Sequence, residues 1–144
     1  MRALTLHDRL LLWLLREYLH IEVPDLVTDS MPVNDLTPYA GTYRSNQVRV
    51  DVSVVGDQLE EKFIYEPLDA ENERIFTGFS GGSIPSASRR FVPIQQDLFA
   101  PVGMPLQAFT GYSRQLLVSY HGYREGRAHF RCAGGRMTRR DLAH

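Results

Sequence analysis

The chain reads as a mainly β protein: about eight short antiparallel strands forming a sandwich or barrel, preceded by one apolar α-helix. Three observations predict this. A dense apolar run from Leu10 to Leu15 sits near the start of the chain. After about residue 38 the pattern changes to apolar and polar residues in strict alternation. Turns containing glycine or proline separate these alternating runs.

The helix is read from Asp8 to about His20. Thr5 with Asp8 three residues on resembles a capping box, with Asp in place of Glu. Leu11, Leu14, Leu15 and Tyr18 form one stripe, and Leu10, Leu12 and Trp13 continue around the cylinder. A helix apolar on most of its circumference needs cover on most of it. A small β domain covers one side, so Leu11, Trp13, Leu14, Leu15 and Tyr18 are expected to form an interface, with a neighbouring domain or with a second copy of the chain.

Pro24, Pro32 and Pro38, with Asp25, Asp29, Asn34 and Asp35, mark an extended linker. The expected division is a helix over 1–22, a linker over 23–38 and a β domain over 39–144. Within the latter, Val48, Val50, Val52 and Val54 face one way in a first strand. Gly56-Asp57 turns the chain, and Leu59, Glu61, Phe63 and Tyr65 share a face of the next strand. Glu66 to Glu73 reads as an acidic loop and Arg74 to Phe79 as a strand. Ser80 to Ser88 is a Ser/Gly loop. Arg89 to Ile94 and Asp97 to Ala100 are short strands, and Met104 to Tyr112 is ambiguous. Gln115 to Tyr123 and Arg127 to Cys132 form a hairpin, with Arg136 to Arg139 as the last strand.

The register of that hairpin has two readings. A two-residue loop, Glu125-Gly126, sets Phe130 opposite His121. A three-residue loop sets Phe130 opposite Tyr120 and gathers Leu116, Val118, Tyr120, Phe130 and Cys132 on one apolar face. Burial of a single face favours the three-residue loop. It places His121 across from His129 as an exposed pair and buries Cys132 as a structural thiol.

With 144 residues, 43% hydrophobic and 23% charged, the chain is long enough for one ordinary globular domain. A net charge of −1 points to neither nucleic acid nor a membrane surface. Asp51 to Glu73 carries eight acids and one base; Arg114 to Arg140 carries seven arginines and one acid. Two oppositely charged strand regions meeting in one sheet explain this split. The single Cys132 allows no internal disulfide. The apolar run is too short for a signal peptide or a membrane span, which makes the cytoplasm the default compartment.

There is no phosphate-binding glycine loop, no G-x-S-x-G elbow and no H-E-x-x-H. Glu60 and Glu61 are strand neighbours facing opposite ways, which spoils them as a catalytic pair. Ser119 and His121 lack an obvious oxyanion hole. No metal and no cofactor is expected.

The strand region opens with Asp35-Leu36-Thr37-Pro38-Tyr39-Ala40-Gly41-Thr42-Tyr43. Phe91-Val92-Pro93-Ile94, Asp97-Leu98-Phe99-Ala100-Pro101, Val118-Ser119-Tyr120-His121-Gly122 and Ala133-Gly134-Gly135-Arg136 follow. This pattern resembles the C-terminal domain that follows the catalytic domain in many bacterial serine hydrolases of the beta-lactamase and penicillin-binding-protein superfamily. The resemblance implies a small lipocalin-like up-and-down barrel. It likens the apolar helix to the last helix of a catalytic domain. The hydrolases themselves use a serine with a lysine three residues on; here the only lysine, Lys62, follows Leu59 at that spacing. No catalytic residue carries over, so the chain is expected not to be an enzyme. The implied work is packing on a catalytic domain, shaping substrate access or mediating assembly. The alternative is a stand-alone barrel for a small apolar ligand, lined by Tyr43, Phe63, Tyr65, Phe91, Tyr120 and Phe130. An independent enzyme built on His121 or His129 is the remaining reading.

Overall fold

A computed structural model of the chain describes residues 2–21, 35–82, 86–104 and 111–142. Helix α1 (Arg2–Leu19) precedes eight strands: β1 (Gly41–Ser45), β2 (Val48–Val55), β3 (Gln58–Tyr65), β4 (Ser86–Gln95), β5 (Leu98–Pro101), β6 (Val118–His121), β7 (Phe130–Ala133) and β8 (Arg136–Arg140). Each strand pairs antiparallel with the next, and β8 returns to pair with β1, closing an eight-stranded up-and-down barrel. Closure leaves no unpaired sheet edge. The expected mainly β fold with one leading apolar helix is what the chain adopts.

Alternation places the core. Tyr43, Val50, Leu59, Phe91, Phe99, Val118 and Tyr120 point inward from successive strands and are almost fully buried. At one end of the barrel, where the chain comes in, Leu36 and Tyr39 form a plug. Tyr39 packs edge-on against Phe99 with ring centroids 4.9 Å apart, and lies 5.0 Å from Tyr120. The opposite end carries the β1–β2 and β7–β8 turns, a second helix α2 (Ala70–Phe79) between β3 and β4, and the 3-10 helix Gly111–Leu116 before β6. Helix α1 approaches the barrel at that 3-10 helix.

Several local expectations are corrected. α1 starts at Arg2, so Thr5 lies inside the helix rather than capping it. Most of the expected 23–38 linker lies outside the described residues, but its last part belongs to the barrel: Leu36 is buried and Thr37–Tyr39 is a 3-10 helix. The expected strand Arg74 to Phe79 is helical, and so is the end of the expected acidic loop. Asp69 caps α2 by accepting from the Asn72 backbone N–H at 2.7 Å, and Glu71 and Glu73 sit in its first turn. Acids at a helix N-terminus meet the positive end of its dipole, so the charges that looked like a loop favour the helix. The expected strand from Gln115 shortens, because the 3-10 helix occupies its first residues. The ambiguous stretch from Met104 to Tyr112 lies mostly outside the described residues.

The last hairpin adopts the two-residue loop. His121 pairs with Phe130, and Ser119 with Cys132. Glu125 and Gly126 take φ of 50° and 72°, the left-handed pair that matches strand twist in a tight hairpin. The apolar face does not set this register: Arg131, not Phe130, is required inside, where it pairs with the buried Glu61 across the barrel.

Candidate functional site

The end of the barrel away from the Tyr39 plug holds a pocket of about 450 Å³. Its walls are Phe63 and Phe91 from β3 and β4, Val118 from β6, Leu116 from the 3-10 helix and Ala133 from β7. Val118 and Phe91 are buried, whereas Phe63 and Leu116 are 37% and 39% exposed and stand at the mouth. The volume lies in the range of small-molecule sites, which are mostly apolar with a few placed polar groups.

Those polar groups come from an ion pair set among the core residues. Arg131 donates through Nε to Glu61 Oε1 at 2.8 Å and through its terminal nitrogen to Oε2. Tyr120 donates its hydroxyl to Glu61 Oε1 at 2.7 Å. All three residues are buried. A two-pronged guanidinium–carboxylate contact is among the stronger charged interactions, and it is tolerated inside because each charge is met. Burial works against the Arg131 cation, but the hydrogen bonds and charge of Glu61 outweigh it and hold its pKa above the ordinary range. Burial, then the Glu61 charge, pushes the Tyr120 hydroxyl well up, keeping it neutral and donating. The acidic run and the basic run of the sequence meet inside the barrel at this pair.

The other end is closed by Arg140. Its guanidinium donates to the carbonyls of Ala128, Ala40 and Pro38 and to the Tyr43 hydroxyl, and lies over the Tyr43 ring. Tyr43 in turn donates to the Tyr39 carbonyl at 2.8 Å. Gly41, at φ 148°, leaves the space: a Cβ there would sit 2.2 Å from Arg140 Nη1. The Tyr39-x-Gly41-x-Tyr43 opening is therefore a plug, a gap and a stacking partner for the last strand's arginine. Burial pushes the Tyr43 hydroxyl up to about 12, with Arg140 acting the other way.

Neither a family model nor a curated protein matches this chain.

Of the six residues expected to line an interior site, Phe63 and Phe91 do line the pocket. Tyr43 and Tyr120 are buried in the packed core, towards the plug. Tyr65 is buried and stacks on Phe76 of α2 at 3.9 Å, with no hydrogen-bond partner for its hydroxyl among the described residues. Phe130 does not line the interior: in the observed register it faces outward beside His121. Sequence reading missed Glu61 and Arg131 as a pair. Glu61 alternates with Leu59 and Tyr65 on the apolar face, and that misplaced acid was the available signal.

The expected interface residues all lie on α1. Leu11, Trp13, Leu14 and Tyr18 are exposed, as are Leu10, Leu12 and Leu19; Leu15 is half-buried. No helix among the described residues is long and apolar enough to cross a membrane. His121 and His129 are not an exposed pair. His129 is buried, accepts from Arg139 Nε at 3.0 Å, and is held below its ordinary pKa by burial and by Arg124, Arg139 and Arg140. His121 is exposed, with Nε2 2.8 Å from Ser119 Oγ, and no carboxylate bonds to it among the described residues. Cys132 is half-buried on the outer face rather than in the core.

Proposed function

We propose that the chain is a non-catalytic accessory barrel of a serine beta-lactamase- or penicillin-binding-protein-type hydrolase, docked on the catalytic domain through α1. The observation that carries this is the exposure of α1. Trp13 is 51% exposed, Tyr18 69% and Leu10 54%, on a helix that meets the barrel at the 3-10 helix Gly111–Leu116. An apolar surface of that extent on one element is characteristic of an interaction site. The same 3-10 helix supplies Leu116 to the pocket mouth, so a partner seated on α1 would stand beside the open end of the barrel. That arrangement suits a role in shaping substrate access. The absence of a lysine three residues after any serine supports the non-catalytic part.

Sedimentation of the chain, alone and mixed with a Ser-x-x-Lys hydrolase catalytic domain, tests the reading. A one-to-one complex lost in the Leu11→Glu/Leu14→Glu variant is expected. Self-assembly lost in the same variant would replace the catalytic domain by a second copy. A monomer indifferent to both would sink the docking role, and hydrolysis of an ester or beta-lactam by the purified chain would sink the non-catalytic one.

A second reading is a barrel for a small ligand, favoured by the pocket of about 450 Å³ beneath Phe63 and Leu116. Displacement of an environment-sensitive dye by apolar compounds is the corresponding measurement.

A further inference from the structure

We infer that the pocket takes an amphiphile with a single anionic head, a short-chain carboxylate in chemical class, whose head is met by Arg89. This rests on the second reading above and goes further by naming the ligand chemistry.

Arg89 lines the pocket from β4, directly across from Glu61 in the β3–β4 register. It is exposed, and its side chain has no ion pair or hydrogen bond with the described residues. Glu61 is not available to it. Both carboxylate oxygens are engaged by Arg131, and Oε1 also by Tyr120. The neighbouring acid Glu60 points to the outer face, where Arg90 takes it at 3.5 Å. The floor pair is neutral as a unit, so Arg89 sets the net charge of the pocket at plus one.

An apolar pocket with one guanidinium on its wall, unpaired among the described residues, selects a ligand of matching pattern. A planar guanidinium presents two parallel N–H groups, which suit a carboxylate in two-pronged contact. The apolar portion packs against Phe63, Phe91 and Leu116. At roughly 30 Å³ per water-sized volume, the pocket has room for a chain of about a dozen heavy atoms. A cationic head would face Arg89 and Arg131 with no acid left to receive it. A doubly charged phosphate would find one arginine where such groups usually gather several donors.

Titration calorimetry with decanoate, decan-1-ol and decylamine on the full chain separates the terms, because the three share a tail and differ in head. Decanoate is expected to bind best, about tenfold or more over decanol, with decylamine weakest. Arg89→Gln should bring decanoate down to the decanol level and leave decanol unchanged, and Arg89→Lys should recover part of the loss. Ala87→Trp, on the lip beside Phe63, should abolish all binding while the circular dichroism spectrum is retained. Equal binding of decanoate and decanol, or the same affinities in Arg89→Gln, would overturn the anionic head and leave the pocket reading standing. Preference for decylamine would overturn it too. No binding of any of the three would overturn both.

Discussion

Gly41 holds the closure of the barrel by having no side chain. A methyl at that position meets the Arg140 guanidinium, and φ of 148° is strained for any L residue. Gly41→Ala should therefore destabilise the fold by about 2–4 kcal/mol, read from urea unfolding. The Glu61–Arg131 pair sets a second residue-level expectation. Removing one partner leaves a buried unpaired charge, so Glu61→Leu or Arg131→Met alone should cost about 3–5 kcal/mol. The double variant should recover most of that loss, because two apolar groups of similar volume leave nothing unmet. If the singles and the double unfold at the same urea concentration, the pair has no structural weight.

Elements in this chain are decided by their ends. α2 exists because Asp69 caps it and Glu71 and Glu73 sit at its positive pole, while its faces bury no residue. Asp69→Ala should fray the helix without unfolding the barrel, seen as faster amide exchange at Asn72 and Glu73 with the core amides unchanged. The β6–β7 hairpin is decided by its turn. Glu125 occupies a left-handed position that Asn adopts at lower cost. Glu125→Asn should raise stability by about 0.5–1 kcal/mol. A destabilised variant would mean that the Glu125 side chain matters for another reason.

The molecule as a whole is squeezed by pH from both sides. His129 is held below its ordinary value of 6.5 in the folded chain, so the unfolded state binds its proton more readily. Stability from this group is complete above about pH 6.5 and falls as the pH drops below it. Tyr43 shifts the other way, from 10.0 to about 12, with Tyr39 and Tyr120 also raised. Here the unfolded chain loses its proton first, so stability is complete below pH 10 and declines as pH rises from 10 towards 12. Thermal unfolding across pH should show a plateau with two falling limbs. His129→Gln should flatten the acid limb and Tyr43→Phe the alkaline one; limbs unmoved by these variants would assign the loss to other groups.

The sequence by itself determined the antiparallel β class and the greasy helix, because period-two alternation and a continuous apolar run are local patterns set by backbone geometry, whereas closure into a barrel rather than a sandwich is a tertiary outcome. Val48, Val50 and Val52 could be placed inward from spacing alone, as could Leu59. It also placed Phe63 and Phe91 among the residues of an interior site. It could not set the register of the last hairpin. Local hydrophobicity favoured Phe130 inside, while a partner 70 residues away in the chain, Glu61, required Arg131 there. Nor could it separate α2 from a strand, since Ile75, Thr77 and Phe79 fit period two as well as Ile75, Phe76 and Phe79 fit a helix. The pocket is likewise a tertiary product. Its walls come from β3, β4, β6, β7 and the 3-10 helix, and its floor is the pair that Arg131 forms with Glu61 across the barrel. Long-range pairing of charge in a closed barrel is written in no local stretch of the chain, and only closure brings those groups together.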